Sequence, residues 1–189
     1  MEQPKSTEEL NAFIQSLNTM TDQEWDELGA ASLKHTQGNL LLLAEAGEFD
    51  IVVQGCNCFN TMGGGIAREI RERYPHVADI DAETVRGDYN KLGTYTKAVV
   101  IPNDEHQFTL INAYTQFNMS TGEDVFEYTA FELILQKLHH HYGHLRIGFP
   151  YIGMGLAGGD SEAIMEQLEY FAERCKSKGG TVTLVEFKA

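Results

Sequence analysis

A chain of 189 residues, 42% hydrophobic and 22% charged, has the size and composition of one ordinary globular domain with room for an appendage. Its net charge of −14, with no Lys/Arg cluster to offset it, argues against a nucleic-acid partner, because an acidic surface repels a phosphate backbone. No apolar run approaches the ~18–20 residues of a membrane span, and the polar start of the chain is unlike a secretory leader, so no membrane contact and a cytoplasmic location are expected.

Residues 1–33 read as an N-terminal extension. Ser6-x-x-Glu9 and Thr21-x-x-Glu24 are capping boxes, each followed by apolar residues at helical spacing. Two such short helices cannot fold alone, so they should pack on the main domain or on a protein partner. A short strand follows at 32–36, and Gly38-Asn39 turns the chain into Leu40-Leu41-Leu42-Leu43. Residues 51–54 form a second strand. It leads into Cys56-Asn57-Cys58 and the cluster Gly63-Gly64-Gly65, from which a helix runs over 65–74 until Pro75 closes it.

Residues 79–90 are acidic and irregular or weakly helical. Two strands, 94–101 and 108–113, are joined by a turn at 102–105 and form a hairpin. After a polar loop, a long helix covers 126–141 and ends in three histidines, which suit a helix C-terminus. A buried strand at 145–149 enters a second glycine loop, Gly153 to Gly159. A last helix at 162–176 and a strand at 182–187 complete the chain. Strands alternating with helices imply a layered α/β domain, and the hairpin makes its sheet mixed.

The two glycine loops share one logic of strand, bare backbone and helix. Glycines in succession let a ligand approach the main chain, and the helix that follows aims its free N–H groups and positive dipole end at the same spot. A pair of facing loops would clamp a diphosphate between two helix N-termini, which suits a chain so poor in basic side chains. Gly-Lys-Ser/Thr is absent, which removes a Walker site, and Arg68 stands where a dinucleotide fingerprint needs its third glycine. Three cysteines argue against a disulfide framework. Cys56 and Cys58 are too closely spaced for a usual zinc pair, so neither metal nor cofactor is expected.

Gly38-Asn39, the run Cys56-Asn57-Cys58 with Gly63-Gly64-Gly65-Ile66-Ala67, and Pro150-x-Ile152-Gly153-x-Gly155-Leu156-x-Gly158 together resemble the macrodomain family of ADP-ribose binders. The likeness covers residues 34–189 and is nearest to the branch of the yeast-type ADP-ribose-1″-phosphate phosphatase. It implies a three-layer α/β/α macrodomain with a mixed central sheet, preceded by the short helical extension. By resemblance, Asn39, with Leu40 beside it, would receive the adenine amino group. Asn57 would meet the distal ribose. Gly63, Gly64, Gly65 and Ile66 would wrap that ribose and the nearby phosphate, with Thr115 and Gln116 flanking it. Gly153, Met154, Gly155, Leu156, Ala157 and Gly158 would line the diphosphate, and Phe187 would either pack beside adenine or belong to the core.

The resemblance implies hydrolysis of ADP-ribose-1″-phosphate, with Asn57, Gln54 and Asp160 as candidate catalytic residues. Departures from the pattern point the other way. Gln54 replaces the histidine of the related phosphatases, and glutamine cannot take a proton from water. The lysine nucleophile of similar ADP-ribose hydrolases is missing, and Ala157 replaces their aspartate. Asp160 is a general base acting through water or simply the N-cap of the last helix. A non-catalytic reader of free or protein-linked ADP-ribose, or a de-ADP-ribosylating hydrolase without the lysine nucleophile, is therefore the competing expectation.

Overall fold

A computed structural model describes residues 31–103, 106–119 and 124–188. The expected helices of the N-terminal extension, and with them any docking role for residues 1–30, lie outside the described residues. Six strands form one sheet: β1 (Leu33–Gly38), β2 (Ile51–Asn57), β3 (Tyr95–Val100), β4 (Phe108–Gln116), β5 (Arg146–Pro150) and β6 (Thr181–Phe187). Among the described residues five α-helices connect them: α1 (Leu40–Glu45), α2 (Gly65–Arg73), α3 (Pro75–Ala82), α4 (Tyr128–Tyr142) and α5 (Ser161–Lys176).

Local chemistry explains the element boundaries. Asn39 is extended and its Oδ1 accepts hydrogen bonds from Leu41 N at 2.9 Å and Leu42 N at 3.2 Å. A cap of this kind is worth about 1 kcal/mol, and it makes the leucine run a helix. Leu40 and Leu41 face inward while Leu42 is exposed, as helical spacing requires. Pro75 does close one helix, but it also opens the next. It sits at the start of α3, where its missing N–H costs nothing, so the first residues of the segment expected to be irregular or weakly helical, 79–82, are the end of a helix.

The strand order is β1-β6-β5-β2-β4-β3. Every neighbouring pair is parallel except β3 and β4, the expected hairpin, which is antiparallel. The sheet is therefore mixed, with β3 as its single reversed strand. On one face α4 and α5 pack through Phe131, Ile134, Leu138, Ile164, Leu168 and Phe171 onto Val53, Ile111, Ile147 and Leu184. On the other, α1, α2 and α3 cover Val52, Leu110 and Val185 through Leu41, Ile70 and Val77. Three layers result. No helix among the described residues is long and apolar enough to cross a membrane.

Two features of this sheet position the site. β2 and β5, the strands that feed the two glycine loops, are parallel neighbours, so both loops leave the same edge side by side. At the opposite edge, Arg146 joins the starts of those strands: its guanidinium meets Asp50 Oδ1 at 2.8 Å and its backbone N–H donates to Asp50 Oδ2 at 2.9 Å. The hydrogen bond from Arg146 holds the Asp50 carboxyl below its ordinary value.

Candidate functional site

The first loop begins with a register shift. Between Cys56 and Asn57 the ladder from β2 to β4 slips, so that Asn57 pairs with Gln116. The Asn57 side chain then folds the turn beneath it. Its Nδ2 donates to Thr61 O at 3.1 Å and Thr61 Oγ1 at 2.7 Å, and its Oδ1 accepts from Phe59 N at 2.9 Å. One lone pair on Oδ1 is left for a ligand.

A buried cation pins the same turn from below. Lys91 Nζ donates to Asn60 Oδ1 at 2.7 Å and to Cys58 O at 3.3 Å, and lies 4.3 Å from the centre of the Tyr114 ring. Tyr114 OH donates in turn to Asp81 Oδ1 at 2.6 Å. With Asp81 only 3.9 Å from Nζ, the buried charge is compensated.

The glycines that follow leave the backbone bare. A Cβ on Gly63 or Gly65 would meet nothing within 4 Å, and Gly65 has φ +52°, a conformation side chains resist. Gly64 is the N-cap of α2 and supplies no side-chain acceptor. The first N–H groups of α2 therefore remain unfilled among the described residues, with the positive end of the helix dipole behind them.

The second loop is built differently. Gly153 has φ +76°, and a Cβ there would lie 2.5 Å from the Phe126 ring. Gly158 N donates to Gly155 O and Gly159 N to Gly153 O, which curls the loop on itself. The N–H groups of Gly155, Leu156 and Ala157 donate to nothing among the described residues. Asp160, however, closes the end of α5: its Oδ1 accepts from Ala163 N at 2.9 Å, and its own N–H donates to Tyr128 OH at 2.7 Å. Leu156, 64% exposed, reaches toward the first loop, where its Cδ1 would be 3.2 Å from a Cβ on Gly64. The loops face each other.

Between them lies a cavity of about 980 Å3 at the C-terminal ends of the parallel strands, the crevice where α/β sheets bind ligands. Asn39, Leu40, Val185 and Phe187 line one end; Asn57, Thr61, Thr115, Gln116 and Met119 line another part; Gly63 to Ile66 and Gly153, Gly155, Leu156 and Ala157 lie along it. Phe187 is 69% exposed, so it is a wall of the cavity rather than a core residue. Pairing of Gly38 with Phe187 across β1 and β6 puts Phe187 at the same end as Asn39.

Four residues expected at the site stand elsewhere. Gln54 is fully buried on the face covered by α3, where its Nε2 donates to Asn112 Oδ1 at 2.7 Å, because strand alternation turns it away from the cavity that Gly55 and Asn57 line. Asn112 passes the contact on to Val77 O and Thr96 Oγ1, while Gln54 Oε1 has no hydrogen-bond partner among the described residues. Asp160 is spent on its helix cap. Met154 packs against the core, and Gly158, at φ +65°, serves the curl of the loop. Of the two helix N-termini expected to form a clamp, that of α5 carries a carboxylate cap of its own, whereas that of α2 has no side-chain cap.

Residues on α2 were not foreseen. Arg68, Glu69 and Glu72 all line the cavity, and Arg68 is the one cation on its wall among the described residues. Their spacing from Gly65 is that of a single helix face, which is the signal that marks them. Tyr151 adds an aromatic wall beside the second loop.

No protein-family profile matches the chain. It is 29% identical over 148 residues to an uncharacterised 17.5 kDa protein of Enterobacteria phage T4, from the tk-vs intergenic region; the match spans 75% of this chain and 91% of that one. Among solved structures it is similar to the macrodomain of Mycobacterium tuberculosis DarG, with TM-score 0.61 and 18% identity over 81% of this chain and 96% of the other. The macrodomain of Thermus aquaticus DarG gives TM-score 0.60 and 17% identity over 83% and 98%. A Trypanosoma brucei macrodomain in complex with ADP-ribose gives 0.57 and 12% over 82% and 63%. The six-stranded mixed sheet between two helical layers, with a crevice at the ends of β2 and β5, has the macrodomain fold.

Proposed function

We propose that the protein binds ADP-ribose, free or attached to another molecule, in the cavity between the two glycine loops. One observation carries the reading. Unfilled amides of α2 and of residues 155–157 belong to two loops that face each other across a cavity whose wall offers, among the described residues, a single basic side chain. A chain of net charge −14 would hold a diphosphate by backbone donors, not by lysines and arginines. The similar Trypanosoma structure, described as a complex with ADP-ribose, supports the same ligand. Asn39 and Phe187 fit the base end, and Asn57 and Thr115 fit the distal ribose.

Hydrolysis of ADP-ribose-1″-phosphate, the activity of the yeast-type branch, is the finer reading and has less behind it. Gln54 and Asp160 stand off the cavity, and the carboxylates on its wall, Glu69 and Glu72, belong to α2. Turnover would rest on a water oriented by Asn57 and on the substrate's own phosphate as base. We take binding as the primary function. Calorimetric titration with ADP-ribose, followed by a phosphate-release assay on ADP-ribose-1″-phosphate, tests both. Binding without release supports a reader; release at a rate proportional to enzyme, above that of Asn57→Ala, supports the phosphatase. Absence of binding at millimolar ligand overturns the proposal.

A further inference from the structure

We propose that Glu69 reads the base of the bound nucleotide, its carboxylate accepting the 6-amino group of adenine. This rests on the ADP-ribose reading above and names the residue that makes it specific. The family resemblance implies that role for Asn39, whose geometry prevents it. Both lone pairs of Asn39 Oδ1 are taken by Leu41 N and Leu42 N in capping α1, which leaves only the Nδ2 amino group. An amino group donates; it cannot accept from a second amino group.

The acceptor at this end of the cavity stands one step further along. Asn39 Nδ2 donates to Glu69 Oε1 at 3.0 Å, and Arg73 donates to the same oxygen at 3.4 Å while its other nitrogen is held by Glu45 at 2.6 Å. Two donors thus fix one carboxylate oxygen. The other, Oε2, has no hydrogen-bond partner among the described residues, and Glu69 shares the cavity wall with Asn39, Leu40 and Phe187. A carboxylate in a site for a diphosphate is tolerable only away from the phosphates. Glu69 is four residues along α2 from Gly65, about 6 Å of helix rise from the amides that would hold them. At the base end a negative acceptor suits a 6-amino purine and repels the carbonyl of a 6-oxo purine.

The arrangement predicts the behaviour of Glu69→Gln. Asn39 Nδ2 and Arg73 would retain the amide oxygen at the pinned position, so the glutamine NH2 would turn toward the base. An acceptor becomes a donor, and the preference should invert. Calorimetry with ADP-ribose and with its hypoxanthine counterpart, inosine diphosphate ribose, reads this directly. Wild type should bind ADP-ribose at least about tenfold tighter than the 6-oxo ligand. Glu69→Gln should favour the 6-oxo ligand, and Glu69→Ala should bring the two within about twofold, with thermal melts showing both variants folded.

If Glu69 is only a clasp between α1 and α2, both affinities fall together and their ratio stays that of wild type, which overturns the inference while leaving the proposed function standing. If wild type binds neither nucleotide at millimolar concentration, the ADP-ribose reading fails, and the base-reading role with it.

Discussion

The two glycine loops look alike in sequence and differ in the molecule. Each follows a strand, each precedes a helix, and their strands are neighbours. Yet α2 starts with Gly64 as its cap and leaves its first amides open, while α5 starts with Asp160, whose carboxylate caps Ala163 N and places a negative charge at that end. A glycine run therefore marks where a ligand can approach, and the residue just before the helix decides whether that helix takes part. The second loop compensates with the N–H groups of residues 155–157, which donate to nothing among the described residues, on a curl that Gly153 and Gly158 permit.

The difference is open to attack from either side. The largest effect is expected at Gly64→Glu. The backbone there is extended, so the fold should survive, but a carboxylate would sit over the α2 amides and against Leu156. ADP-ribose affinity should drop about 100-fold or more by calorimetry. Asp160→Ala is the mirror experiment. It should cost about 1 kcal/mol of stability in urea unfolding, the usual loss for an N-cap, with ADP-ribose affinity within about twofold of wild type. A large loss of affinity there would return α5 to the binding machinery.

Phe187→Ala sharpens the account at the base end. The ring is mostly exposed, so stability should scarcely change, while loss of packing against adenine should weaken binding about fivefold, or roughly 1 kcal/mol. Arg146→Met is the smallest, and acts at the sheet edge opposite both loops. Asp50, lowered by Arg146, contributes stability that is present above the ordinary carboxylate range and lost as pH falls through its folded value. Side chains 50% and 35% exposed limit this to about 0.5 kcal/mol. Urea midpoints of Arg146→Met should show a shallower loss between about pH 5 and pH 3, because Asp50 would keep the backbone N–H of residue 146 but lose the guanidinium, the larger cause of its lowering, with binding at pH 7 unchanged.

Much of the architecture can be read from the chain because each boundary has a local cause. Gly64 and Asp160 announce helix starts, the antiparallel hairpin follows from two short strands around a turn, and Asn39, read from the chain only as part of a turn, becomes a helix cap in the fold. What escaped was which way side chains face. Ile51, Val52 and Val53 are apolar on both faces of a buried parallel strand, so no alternation tells which side Gln54 will take. Phe187 could be core or cavity wall until its strand was placed beside β1. Glu69 and Arg68 look like an ordinary solvated helix face until Asn39 is brought against that face across 30 residues of chain. The buried anchor Lys91 is similarly a product of tertiary contact, since nothing near it in sequence marks it as inward.

Amide chemical shifts offer the most direct reading of which backbone groups grip the ligand. Titrating ADP-ribose into 15N-labelled protein should move the amides of residues 64–67 and 155–157 most and leave those of 161–163, behind the Asp160 cap, nearly unmoved. Shifts centred on the start of α5, or spread away from both loops, would contradict the account.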